Sequence, residues 1–175
     1  MARIGYADET NDPEIMALAE QIRAERGGRL LNLYRMLLNS PPVARGWLNL
    51  LTAIRYKSKL AGRYRELTIL LVAVINGAEY ERAGHVPHAK KEGVTDAQIE
   101  ALASWQESKV FDDVDRAVLA YTDAMTRDVH VSGVVFAAVN KHFDQREMTE
   151  LTATIAAYNL VSRFLEALRV DPEKR

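Results

Sequence analysis

An all-α single-domain bundle is the fold class that this sequence predicts, and three observations carry the prediction. Apolar residues recur at spacings of three and four along most of the chain, the period that gathers them on one helix face. Helix punctuation brackets those runs, with Asp12-Pro13 and Ser40-Pro41 at starts and Gly27-Gly28 and Gly93 at ends. The run that best suits a strand, Glu66 to Ile75, lies among helical patterns, where an isolated strand would leave its backbone groups unpaired.

Each element follows in order. Asp12 is an N-cap with Pro13 at the first helical position, and Ile15, Leu18, Ala19 and Ile22 share a face. Leu30, Leu31, Tyr34, Leu37 and Leu38 keep register in a second helix. A third begins at Ser40-Pro41 and turns Val43, Trp47, Leu50, Leu51 and Ile54 to the core. Glu66 to Ile75 is apolar nearly all round, which places it in the middle of a bundle. Gly77 marks a turn, and a helix from about Ala78 to Glu92 follows, with Pro87 expected to kink it or end its regular hydrogen bonding. Thr95-Asp96-Ala97-Gln98 matches a capping box ahead of Ile99 and Leu102. Val114, Ala117, Val118, Tyr121, Ala124 and Met125 define another helix, and Ser132 to His142 a short one, although its valines also suit a strand. Leu151, Ile155, Tyr158, Val161, Leu165 and Leu168 hold one seam in a long last helix. The count is eight or nine helices over residues 1–175, with no internal repeat or linker.

Composition narrows the chemistry. A chain of 175 residues, 48% hydrophobic and 27% charged, is large enough to bury its own core, so neither metal nor disulfide is needed to hold it together. A net charge of −1 gives no broad field for DNA or anionic membranes. The first residues lack the layout of a signal peptide, and no apolar run approaches the ~18 residues of a membrane span. A cytoplasmic protein with neither nucleic-acid nor membrane partners is expected. There is no cysteine, which removes thiolate nucleophiles, thiolate metal sites and dithiol redox chemistry together.

Polar residues interrupt the apolar pattern at Glu66, Glu79-Tyr80-Glu81 and His85. Glu81 and His85 are four apart and share a face, with Ala78 on the same stripe. An antiparallel turn near Gly77 brings Glu66, eleven residues before it, level with His85, eight after it. A histidine between two carboxylates can relay a proton, one carboxylate orienting the ring while the other exchanges the proton. The plainer reading stands beside it: a Glu–His pair at this spacing is common on helix surfaces, and a carboxylate near a helix start is favoured by the dipole. Glu81, His85 and His88 also offer metal ligands, but Pro87 disturbs their geometry and no second motif supports them, so no metal is expected. His130 and His142 read as ordinary loop or helix-end residues. The basic stretch Arg55-Tyr56-Lys57-Ser58-Lys59, then Arg63-Tyr64-Arg65, suits RNA through its tyrosines, a solvated helix end, or an arginine that meets an anionic substrate or an acidic neighbour.

Arg63-Tyr64-Arg65-Glu66-Leu67, Gly77-Ala78-Glu79-Tyr80-Glu81 and His85-Val86-Pro87 together resemble the carboxymuconolactone decarboxylase family, which includes the alkylhydroperoxidase D-like proteins. Tyr158 to Arg163 resembles that family's last helix, and the family-like core spans about 40–125. The resemblance implies an all-α fold that associates into trimers or hexamers, with sites near subunit contacts. It implies that the peroxidase branch's acid and histidine fall on Glu66 and His85, while its two cysteines fall on Ala78 and Glu81. The redox couple is therefore missing and the proton-handling frame remains, so a peroxidase label lacks chemical support. The decarboxylase branch needs no thiol. The resemblance thus implies a lyase that works by Glu/His acid–base chemistry without a cofactor. Its substrate is expected to be a small anionic lactone or keto acid. His85 serves as proton donor, Glu66 or Glu81 orients it, and Tyr80 and Arg65 bind substrate. A non-catalytic oligomeric ligand-binding protein that kept the fold is the alternative.

Overall fold

The computed structural model describes residues 1–173. Among the described residues there is no strand, and nine α-helices and one 3-10 turn make up the ordered elements. The chain divides into two compact units, Met1–Lys57 with the chain from Leu165 onward, and Ser58–Phe164.

The first unit contains α1 (Pro13–Glu25), α2 (Asn32–Leu37) and α3 (Pro41–Tyr56). Asp12 caps α1 by accepting from the Glu14 backbone N–H at 2.8 Å, as its place before Pro13 predicts. Leu18, Ala19 and Ile22 are its buried stripe. Arg26 ties α1 to α2 and α3, donating to the Tyr34 hydroxyl and to Thr52 Oγ1, each at 3.0 Å. The start and end of the chain are clasped here: the Tyr6 hydroxyl donates to Asp171 at 2.9 Å, and the Arg3 backbone N–H donates to the Leu168 carbonyl at 2.9 Å.

Two expectations for this unit need correcting. The second helix is six residues long, under two turns, with Leu30 and Leu31 before it and Leu38 at its C-cap. On α3, Val43 and Leu50 are 51% and 44% exposed, while Ala44 and Leu48 take inward places beside Trp47, Leu51 and Ile54. Both misplaced residues are single apolar side chains on a wet face, which folded proteins carry routinely.

The second unit holds α4 (Gly62–Asn76), α5 (Glu79–Lys91), α6 (Asp96–Ala101), a 3-10 turn at Leu102–Ser104, α7 (Asp113–Arg127) and α8 (Gly133–Asn140). The long α9 (Gln145–Leu168) is shared between the units. The ambiguous run is helical, and every residue from Glu66 to Ala73 is buried, because α4 packs against α5, α7 and the 3-10 turn. Leu67, Leu70, Leu71, Leu102, Trp105 and Leu119 form the centre of that core.

Local chemistry sets the α4–α5 corner. Gly77 adopts φ 65°, a left-handed conformation that costs residues with a Cβ. The Ala78 N–H then reaches back to the Ala73 carbonyl at 2.9 Å and the Gly77 N–H to Val74 at 3.3 Å, the two bonds of a Schellman ending. Pro87 lies inside α5, and the helix continues past it to Lys91. The hydrogen bond that Pro87 cannot make would have gone to Ala83, which is exposed and open to water. Thr95 and Gln98 form the expected capping box.

Candidate active site on helices α4 and α5

Glu66 is the fifth residue of α4 and is 2% exposed. Glu81 and His85 sit one turn apart on α5, and both are buried. The antiparallel corner at Gly77 brings all three together. His85 Nδ1 lies 2.8 Å from Glu66 Oε2, and its Nε2 lies 3.4 Å from Glu81 Oε2. Both ring nitrogens therefore face carboxylates.

A buried carboxylate needs strong partners to remain charged. Burial is the largest influence on Glu66 and acts to raise its pKa. The hydrogen bond and charge of His85, followed by those of Arg65, together outweigh it and hold the carboxyl below its ordinary value of 4.5. Arg65 Nε lies 3.2 Å from Glu66 Oε1, so the two oxygens of this carboxylate are divided between an arginine and a histidine.

An ionised Glu66 accepts only, so Nδ1–H is the donor of the 2.8 Å bond. In a neutral imidazole the Nε2 lone pair would then face Glu81. Two lone pairs in contact repel, which favours a proton on that edge, either on Nε2 or on Glu81. The arrangement can thus store a proton at Nε2 and balance it on the far side with Glu66.

The ring of Tyr158, from α9, completes the surroundings. It meets the imidazole edge-to-face with centroids 5.1 Å apart and an angle of 89°. His88 stands about one turn on from His85 along α5, with its ring 5.7 Å from that of His85. Among the described residues, no three His, Asp or Glu side chains form a metal-holding group. Tyr80 is half-buried on α5 and lies about 140° around the helix from His85, off the Glu81–His85 stripe.

The basic stretch resolves into internal contacts at its second half. Arg63 pairs with buried Asp115 at 2.6 Å and donates to the Gly93 carbonyl at 2.9 Å. Gln98 also donates to Asp115, at 3.1 Å. Burial pushes the Asp115 carboxyl up despite the guanidinium beside it. Arg65 joins Glu66 to Glu92, whose Oε1 is 3.6 Å away. Sequence spacing pointed to Glu66, Glu81 and His85, and the fold places them in contact. It left Arg65 open between a substrate and an acidic neighbour, and gave no sign of Tyr158 at the ring or of Glu92 behind Arg65.

Comparison with known proteins bears on this site and its helices. Residues 41–124 match the model of the Carboxymuconolactone decarboxylase family. The uncharacterized protein YnjA of Escherichia coli (strain K12) is 34% identical over 95 residues, which is 50% of this chain and 52% of that protein. The matching stretch thus spans about half the length of that curated relative. An uncharacterized peroxidase-related protein from Ralstonia eutropha JMP134, solved as an alkylhydroperoxidase AhpD core, superposes with a TM-score of 0.83 at 17% identity, over 99% of this chain and 93% of that one. A protein of unknown function from Agrobacterium tumefaciens gives 0.73 at 24% identity over 78% of this chain and 94% of the other. The debrominase Bmp8, solved as a cysteine-to-alanine form with 2,3,4-tribromopyrrole, gives 0.80 at 17% identity over 99% and 94%. Glu66, Glu81 and His85 all lie inside the segment, residues 41–124, that matches the Carboxymuconolactone decarboxylase family model, and the chain carries an AhpD-like all-α fold that contains no cysteine.

Proposed function

We propose that this protein is a small-molecule enzyme of the decarboxylase-like kind, using Glu66, His85 and Glu81 for acid–base chemistry without a thiol. The observation that carries the proposal is the buried 2.8 Å bond from His85 to Glu66, with Glu81 on the other ring nitrogen. An imidazole that carries its proton at Nε2, balanced by Glu66 on the other nitrogen, is placed to act as a proton donor. On an activated lactone acid or β-keto acid, the bond to the carboxylate carbon breaks and CO₂ leaves. The electron pair stays on the substrate as an enolate, His85 delivers its Nε2 proton to that carbon, and water restores the proton through Glu81. The match of residues 41–124 to the model of the decarboxylase family supports this class. A fold that holds a small bromopyrrole in the debrominase supports a small-molecule substrate.

Arg65 was expected to bind substrate, but its guanidinium is already shared between Glu66 and Glu92, so in this proposal it holds Glu66 in its charged form. Tyr80 remains the candidate hydrogen-bond donor to substrate. The chain is further proposed to act as a homo-oligomer.

A second reading draws on the burial of the site. His85 is 6% exposed and Glu81 5%, as expected of an ion cluster that merely pins α5 to α4 in a non-catalytic binding protein. Screening lactone acids and β-keto acids for CO₂ release comes first, followed by His85→Gln, Glu66→Gln and the double variant. If His85 donates the proton, His85→Gln lowers turnover by roughly 10²–10⁴-fold with a small change in melting temperature. The double variant then loses less than the product of the single losses, because both residues serve one relay. Turnover per folded molecule that survives His85→Gln, with a lowered melting temperature, selects the structural reading.

A further inference from the structure

Glu92 follows α5, and its carboxylate lies over the first turn of α4. A Cβ added to Gly62 would stand 2.0 Å from Glu92 Oε2, so the carboxylate occupies space that only glycine leaves open. From there Glu92 meets Arg65 at 3.6 Å, Arg65 meets Glu66 at 3.2 Å, and Glu66 meets His85 at 2.8 Å. Charges alternate along this line from a half-exposed acid to the buried imidazole. It begins 26 residues after Glu66 in sequence and outside the residues assigned to proton transfer.

We propose that Glu92, admitted by Gly62, is a positioning residue that tunes how tightly His85 holds its proton, acting through Arg65 and Glu66. The inference rests on the acid–base reading of this site. Arg65 carries one positive charge and has two carboxylates to share it with. If Glu92 is removed, that charge falls wholly on Glu66. Arg65 then competes with His85 for the carboxylate and leaves excess positive charge beside the imidazole. Both effects weaken proton binding at His85. Removing Arg65 acts in the opposite sense. Glu81 and His88 from α5 and Tyr158 from α9 also face the ring, and all three are kept in the variants below.

The test follows the His85 imidazole by NMR in the full chain, with its resonance assigned from the spectrum of His85→Gln. Glu92→Gln and Gly62→Ala are each expected to lower the titration midpoint by on the order of half a pH unit. Their double variant is expected to move it no further than either alone, since the added methyl acts by displacing the same carboxylate. Arg65→Gln is expected to raise the midpoint. Melting temperatures of the Glu92 and Gly62 variants should stay close to wild type, because a half-exposed pair contributes little to stability. An unchanged midpoint in Glu92→Gln overturns the proposal, as do additive shifts in the double variant. Should Gly62→Ala fail to fold, Glu92→Gln and Arg65→Gln still decide by their opposite signs. Turnover that survives His85→Gln defeats the proposed function separately, and the titration then still decides whether Glu92 acts on the ring.

Discussion

Glu66→Gln keeps the shape of the side chain and removes its charge, which separates packing from electrostatics. Because the folded carboxyl titrates below 4.5, the folded chain binds fewer protons than the unfolded chain at mildly acid pH. Its ionised form therefore adds stability above the unfolded value, and that contribution is lost as pH falls through the lower folded value. Wild type is expected to melt above Glu66→Gln by a steady margin from neutral pH to about pH 5, and the margin should narrow below about pH 4.5. Thermal scans of both proteins in matched buffers check this, and a margin that persists unchanged to about pH 3 contradicts the charged assignment. A second residue-scale prediction concerns oxidation. On the family resemblance, Ala78 and Glu81 fall where the peroxidase branch places its two thiols, and the chain has no cysteine, so the metal-stripped chain should consume no peroxide with a thiol reductant. Peroxide loss above the buffer rate, with contaminating peroxidase excluded, would count against that mapping. At this scale the meeting of Glu66 and His85 could be read by counting outward from Gly77, and Glu81 with His85 by helical period. The Tyr158 ring could not, since its approach depends on how α9 lies against α5. The choice of Arg65 between substrate and an acidic neighbour could not either, because Glu92 reaches it from the far end of the next helix.

Helix ends were the most legible elements, because their causes lie within four residues. The Asp12 cap and the Thr95–Gln98 box both form as the sequence predicts. Inward and outward faces were less legible on α3, where a strict apolar stripe misplaced Val43 and Leu50. Pro87 was less legible for a related reason, since α5 continues past it to Lys91. Its cost depends on whether the abandoned carbonyl meets water, and that is a property of the face rather than of the residue. Gly77 offers the sharpest test of an element. Its left-handed φ and the two backbone bonds beyond it set the corner that brings α5 alongside α4. Gly77→Ala forces a Cβ into that conformation and should cost about 1 kcal/mol of unfolding free energy. Denaturant titration measures it, and a variant as stable as wild type would show that the corner is held by helix packing alone.

For the molecule as a whole, the surface of α8 is where the proposed self-association is best tested. Its sequence from Gly133 to Asn140 is almost entirely apolar, yet Val139 is its one buried residue. Val134 is 82% exposed and Phe136 45%, and Phe136 also borders a hollow of about 590 Å³ beside Met148 and Ala153 of α9. Single exposed apolar residues are ordinary, but a contiguous patch of this kind is uncommon on a chain that stays alone. A second copy of the chain suits it, since the patch has little charge to be matched and the family resemblance implies trimers or hexamers. None of this was legible in composition. The short helix was readable between Ser132 and His142, but its valines also suited a strand, and nothing in the pattern said which face would stay uncovered. Light scattering at micromolar concentration should give a mass that is a multiple of 19.7 kDa. Val134→Glu combined with Phe136→Glu should shift the mass toward that of one chain. Val134→Glu alone, at a side chain 82% exposed, should do so with helical content intact, whereas Phe136→Glu also gives up the ring contact with buried Tyr121. A single-chain mass for the unmodified protein would remove self-association from the proposal. An unchanged multiple in the double variant would move the contact to another face.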